Sequence, residues 1–179
     1  SATGNGSNSV TLGNTSITKT VLRGNVGIGT TSPITQLHVP GKVPTAAVGS
    51  VGTGLFPYSI YVQGRYAYVA NRTSSTLQVF DVSNPAAPAV VGSVGTGIAP
   101  ISVYVQGRYA YVANRTSNTL QVIDVSNPAA PAVVGSVGTG LLPYSVYVQG
   151  RYAYLANYNS STLQVFDVSN PAAPAVVGS

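Results

Sequence analysis

Short runs of alternating apolar and polar residues, closed by Gly, Pro or a polar cluster, dominate most of the chain. YSIYVQ (58–63) and YAYVAN (66–71) are rich in Tyr, Val and Ile and read as two strands. Gly64-Arg65 lies between them, and a Gly at the first central position predicts a type II′ two-residue hairpin turn. RTSS (72–75) reads as a polar loop and TLQVFDV (76–82) as a third strand. SNPAAP (83–88) cannot extend that strand, because Pro85 and Pro88 lack N–H donors and Asn84 precedes a proline. AVVGSV (89–94) reads as a fourth strand, and GTG leads onward. No stretch carries a helical periodicity of useful length, so the predicted fold class is all-β. Within TLQVFDV, Leu77 and Val79 share one side while Phe80 and Val82 alternate off it. Both sides of the strand are apolar, which predicts a sheet sandwiched between neighbours rather than one half-solvated.

The pattern then repeats. Units 51–93, 94–136 and 137–179 are each 43 residues long and differ from one another at nine positions only. In the first unit these are Leu55, Phe56, Tyr58, Ile60, Val69, Arg72, Thr73, Ser75 and Phe80, mostly apolar exchanges and loop changes. VPTAAVGS (43–50) echoes APAVVGS and reads as the tail of a preceding unit. A period of this length signals a propeller, solenoid or array, and four strands per 43-residue unit match one propeller blade. Propellers typically close with about four to eight blades, so three propeller-type units are expected to be incomplete, to be completed between chains, or to continue as an open fibre.

The stretches YVQGRYAYVAN and LQVFDVSNPAAPAVVGS resemble the LVIVD-type repeat, a bacterial and archaeal propeller-like repeat of extracellular and surface proteins, over about residues 45–179. The resemblance implies blades and implies no activity. Residues 1–44 differ: they are rich in Gly, Ser, Thr and Asn, with short alternating stretches such as SVTLGN and ITKTVLRG. NVGIGTTSPITQLHV (25–39) resembles a sequence of phage tail fibres and of bacterial or viral surface-fibre proteins. That resemblance implies a β-rich shaft or assembly segment, often trimeric. A strand-rich segment with little core needs partner chains, or strand donation into a neighbour's sheet edge, to bury its apolar side.

Composition narrows the chemistry. Only 6% of residues are charged, against roughly 25% in an ordinary soluble protein. The net charge of +5 comes from eight scattered Lys and Arg that form no stripe, so no nucleic-acid partner is predicted. The absence of Cys excludes disulfides, thiolate metal sites and cysteine nucleophiles. No apolar run approaches about 18 residues, so no membrane span is predicted. Without Met, Ser1 is not an untouched start, and the chain is expected to be a processed product or a piece of a longer one.

GIGTTS (27–32) lacks the Lys of a phosphate loop and has no helix after it, and it reads as a glycine-rich turn. Asp81, Asp124 and Asp167 are the only acids, one per unit, too regularly spaced to form the paired carboxylates of a glycosidase. They are expected to accept hydrogen bonds from the following turn, with Arg65, Arg108 and Arg151 as recurring partners. His38 is the sole imidazole, and nothing in the spacing builds a Ser-His-Asp triad around it. No catalytic residue, cofactor or metal site is predicted. Tyr68, Tyr111 and Tyr154 are candidate glycan contacts, since sugar sites use aromatic stacking beside amides. Asn5, Asn14, Asn71, Asn114 and Asn159 head Asn-X-Ser/Thr triplets and are candidate glycosylation acceptors, the last three in one recurring loop.

These readings predict a non-enzymatic structural subunit of an extracellular fibre or surface appendage, on a cell or virion surface. Its partners are copies of itself, joined by strand pairing and repeat stacking. Ile60, Val62, Leu77, Val79 and their equivalents are the expected repeat cores. The alternative is a glycan-binding, adhesin- or lectin-like propeller module. A third class is an enzyme of a larger propeller protein whose catalytic part lies outside this chain.

Overall fold

Consecutive strands of each unit pair in order, so every 43-residue unit becomes one four-stranded antiparallel sheet. The computed structural model describes residues 47–179 and, before them, the backbone of Val26–Gly27 (β1) and Leu37–His38 (β2), which pair in parallel. The chain divides into two compact units, Ser1–Ala46 and Ala47–Ser179. Beyond β1 and β2, the shaft reading of residues 1–44 and the glycine-rich-turn reading of 27–32 fall outside the described residues, as do Asn5 and Asn14.

The first sheet holds β3 (Pro57–Gln63), β4 (Tyr66–Asn71), β5 (Thr76–Asp81) and β6 (Ala89–Gly95). The second holds β7 (Pro100–Gln106), β8 (Tyr109–Asn114), β9 (Thr119–Asp124) and β10 (Ala132–Gly138). The third holds β11 (Pro143–Gln149), β12 (Tyr152–Asn157), β13 (Thr162–Asp167) and β14 (Ala175–Gly178). All four strands expected in each unit are present. Gly64 has φ 60° and Arg65 is not among the positive-φ residues, as a type II′ turn requires.

The first strand of each sheet is an edge within its own sheet, and β3, β7 and β11 lie side by side as the innermost strands. Pro57, Pro100 and Pro143 open these strands, where an edge tolerates a missing donor. One residue later the register slips: Pro57 faces Asn71 while Ser59 faces Ala70, which leaves Tyr58 as a bulge. Ile101 and Tyr144 are the equivalent bulges.

The sheets stack face on face. Leu77, Val79, Tyr68 and Ala70 of the first blade meet Val103, Val105, Val112 and Ile123 of the second in one buried cluster. Leu120, Val122, Tyr111 and Ala113 of the second blade meet Val146, Val148, Leu155 and Phe166 of the third in another. The second blade therefore uses both faces, as the two-sided apolar pattern predicts. A backbone rule accompanies the packing. Val103 N donates to Ser59 Oγ and Val146 N to Ser102 Oγ, both at 3.1 Å. The amides of Gln63 and Gln106 donate to the carbonyls of Gly107 and Gly150 at 2.8 Å. Tyr61, Tyr104 and Tyr147 continue the succession along the inner strands, with ring centroids 4.7 and 4.8 Å apart. Hydrogen bonding to Tyr61, then burial, then hydrogen bonding to Tyr147 hold the Tyr104 phenol well above its ordinary pKa.

The outer strand of one blade also presses on the proline turn of the next. A side chain at Gly92 would overlap the Pro128 carbonyl, and one at Gly135 the Pro171 carbonyl. Gly49 stands in the same relation to Pro85, so the echo of APAVVGS in residues 43–50 is spatial as well as textual at this residue.

Candidate functional site

The repeat array has two ends, and they do not look like its middle. Ile60 and Val62 are 64% and 55% exposed, whereas their equivalents Val103, Val105, Val146 and Val148 are 5% exposed or less. Leu163 is 61% exposed, whereas Leu77 and Leu120 are fully buried. The expectation that Ile60 and Val62 are core residues is therefore corrected. Ile60 and Val62 are exposed because no neighbouring blade covers them: among the described residues the first blade has none on that side. Ala67, Val69 and Phe80 of the same face are buried, and a cavity of about 250 Å³ beside them is lined by Ile60, Val82 and the incoming segment Gly49–Val51.

The three aspartates act as turn anchors. Asp81 Oδ1 accepts from the Ser83 N–H at 2.9 Å, and Asp124 and Asp167 do the same with Ser126 and Ser169. Each carboxylate also pairs with the hairpin-turn arginine of its own blade, Arg65, Arg108 or Arg151. These guanidiniums lie over the rings of Tyr66, Tyr109 and Tyr152, with the carbon 5.4, 5.3 and 5.2 Å from the ring centroid. The Arg108 pair, helped by Ser126, lowers the Asp124 pKa to about 2. Bonds from Ser169 first and Arg151 second lower that of Asp167 to about 2, and Arg65 holds Asp81 well below the usual carboxylate range. Among the described residues no three His, Cys, Asp or Glu side chains group as a metal site would need.

The tyrosines chosen from sequence fare differently. Tyr68 and Tyr111 are 3% exposed inside the interblade cores, which leaves no ring face for a sugar, and Tyr154 is half-buried. Their strands do carry Tyr for its fit to a pleated surface, but in the first two blades this face is turned to the next blade.

The recurring Asn is likewise structural. Asn71 and Asn114 are fully buried, and each amide donates to the Thr hydroxyl and Gln carbonyl of the adjacent strand, at 2.8 Å to Gln78 and to Gln121. In the folded chain neither nitrogen has room for a glycan. Asn157 holds that same position in the third blade, 2.9 Å from Gln164. Asn159 sits two residues further along and is exposed. The triplet moved in sequence, but the structural asparagine did not move.

Sequence reasoning missed one cluster. Arg72, Arg115 and Tyr158 occupy equivalent loop positions and are tied by their backbone N–H groups to the carbonyls of Phe56, Ala99 and Leu142. Beside them, the bulged residues Tyr58, Ile101 and Tyr144 begin the inner strands. The Tyr58 and Tyr144 hydroxyls meet at 2.9 Å, joining the first blade to the third. Tyr58, Arg72, Ile101, Arg115 and Tyr144 line a cleft of about 230 Å³. Its signal was present among the nine variable positions, two of which place Tyr, Ile, Tyr and Arg, Arg, Tyr in the three units.

The LVIVD repeat matches residues 58–96, 100–139 and 144–179, one match per blade and well over half of the chain. The chain belongs to the LVIVD repeat family. Among curated proteins no match was found. Solved structures match the fold. A functionally unknown protein from Desulfotomaculum acetoxidans DSM 771 is 20% identical, with TM-score 0.64, over 71% of this chain and 43% of its own. Hydrazine synthase from Kuenenia stuttgartiensis is 18% identical, with TM-score 0.60, over 78% of this chain and 40% of its own. This LVIVD chain spans about two fifths of those chains, and at such identities the likeness establishes the fold alone. No helix among the described residues is long and apolar enough to cross a membrane.

Proposed function

We propose that this LVIVD chain is a non-enzymatic structural subunit of an extracellular fibre or surface appendage, and that it associates with its own copies through its end faces. One observation carries the reading. The exposed face of the third blade has the residues with which the first blade covers the second, and the exposed face of the first blade has the residues that are covered. Leu163 repeats Leu77, and Ile60 repeats Val103. The polar complement matches too. Ser145 and Gln149 repeat Ser59 and Gln63, which bond across a blade interface in the interior of the array. Two ends of one chain that complement each other make a head-to-tail contact. Such a contact closes into a ring if its rotation closes and runs on as a filament if it does not. The placement at a cell or virion surface rests on the repeat's resemblance and on a chain with 6% charged residues, whose surface solubility comes from Ser, Thr, Asn and Gln.

Light scattering over a range of concentrations tests this. Wild-type chain is expected to gain mass with concentration. Ile60→Asp and Leu163→Asp, each on an exposed position, are each expected to stay monomeric with unchanged melting. An equimolar mixture of the two variants is expected to form dimers and no larger species, because one intact face of each kind remains. A wild-type chain that stays monomeric at high concentration overturns the proposal, as does assembly that both variants leave intact.

A further inference from the structure

The repeats 47–179 carry five arginines and three aspartates. Among the described residues the three ion pairs take one arginine and one aspartate from each repeat, so all acidic side chains are used. The unneutralised charge of the array therefore falls on Arg72 and Arg115, and both line the same cleft. Three further features make the cleft a constructed place. Its other walls are the bulged residues of three different blades, and a bulge re-aims a side chain out of the sheet's regular alternation. The Tyr58–Tyr144 hydroxyl contact at 2.9 Å spans the second blade. Tyr158, at the position that holds Arg in the other two blades, sets its ring 6.2 Å from that of Tyr144. The cleft thus sits where the repeats stop being copies of one another.

The chemistry is that of an acidic sugar. A guanidinium presents parallel N–H donors that match the two oxygens of a carboxylate. Tyrosine supplies an aromatic face for the C–H side of a sugar ring and a hydroxyl for its alcohols. Tyr58 and Tyr144 are 50% and 47% exposed, so ring surface is available, unlike at Tyr68 and Tyr111. A volume of about 230 Å³ lies below the roughly 300–1,000 Å³ of sites for drug-sized ligands, and suits one sugar unit better than an oligomer. We propose that this cleft binds a hexuronate unit, its carboxylate taken by Arg72 and Arg115 and its ring held against Tyr58 and Tyr144.

The test is a titration of the full chain with D-glucuronate, D-glucose and inorganic phosphate, followed by amide chemical shifts in NMR. Glucuronate is expected to give saturable shifts at Arg72, Arg115 and Tyr158, with glucose and phosphate at least tenfold weaker. Arg72→Gln combined with Arg115→Gln is expected to weaken glucuronate at least tenfold with unchanged melting, since neither side chain holds an ion pair. Tyr58→Phe with Tyr144→Phe keeps the rings and removes the hydroxyls, and is expected to weaken it by a smaller factor. Equal binding of phosphate would reduce the cleft to a general anion site and overturn the sugar assignment. Equal binding of glucose, retention of affinity in the double-arginine variant, or the absence of saturable shifts would overturn the proposal as well. Neither self-association nor its failure enters this readout when the titration is run on the monomeric Leu163→Asp variant.

Discussion

The middle of the array and its two ends are built from nearly the same words and have different physical states. Val105 is 1% exposed and Val62, its copy 43 residues earlier, is 55% exposed. The residue, the strand and the register are the same, and only the neighbour differs. At this position burial is a property of the interface between blades and not of the blade, as expected for structures in which each repeat contacts only its neighbours. Contacts made within a blade behave otherwise, because they are complete in all three copies. Asn71, Asn114 and Asn157 are each buried and bonded to the Gln of the next strand, whether or not another blade stands beside them.

This contrast is breakable by substitution. The largest expected effect is Leu120→Ala, which empties a fully buried site between the second and third blades and should cost about 2–5 kcal/mol. Leu163→Ala makes the same change on the exposed face and should move monomer stability by no more than about 0.5 kcal/mol. Urea midpoints of the two variants at a concentration that keeps the chain monomeric check this. Equal costs would mean that the end face is not open. The next effect sharpens the other half of the comparison. Asn71→Ala, Asn114→Ala and Asn157→Ala should each cost about 1–3 kcal/mol and should cost alike, because each removes a buried amide and its two hydrogen bonds inside one blade, to the Thr hydroxyl and the Gln carbonyl. A cost graded from the middle to the ends would contradict the intrablade assignment.

A smaller effect tests the interblade backbone bond. Ser102→Ala removes the acceptor of the Val146 N–H and should cost about 0.5–1.5 kcal/mol, while Ser145→Ala should be silent in the monomer. The smallest effect is acid sensitivity. The folded pKa values of Asp124 and Asp167 are lowered from 3.8 to about 2, so their contribution is present above the ordinary carboxylate value and fades as pH falls toward 2. Thermal melting against pH should show this decline, and Asp124→Asn should flatten part of it. These pairs are exposed on the arginine side, so the contribution is small and weakens further with salt.

The fold was largely legible in the sequence because its signals are local. Gly64 fixes the hairpin, Pro85 and Pro88 end the third strand, and apolar residues on both sides of TLQVFDV announce a covered sheet. The occupants of each face were not legible, because Ile60 and Val103 carry the same pattern and differ only in what stands next to them. Tyr68 read as a ligand contact for the same reason: a strand pattern does not say which face meets a blade. Asn71 read as a glycan acceptor from its triplet, although its partner Gln78 lies one strand over and becomes visible only through register. The arginine–tyrosine cleft was hidden in a different way. Its residues come from three repeats, and a reading that values sameness passes over the positions where the repeats differ.

The most direct measurement is electron cryomicroscopy of the assembled chain at a resolution that shows side chains. The account predicts that the inner three strands of the blades continue across the chain boundary with the same offsets as inside the chain, while Gly49 keeps its place against Pro85 and β14 of the other copy gives way there. Ser145 would accept from the Ile60 N–H of the next copy, Gln149 would reach that copy's Gly64 carbonyl, and Leu163 would be buried. Assemblies that leave Ile60 and Leu163 in solvent and join elsewhere would contradict it.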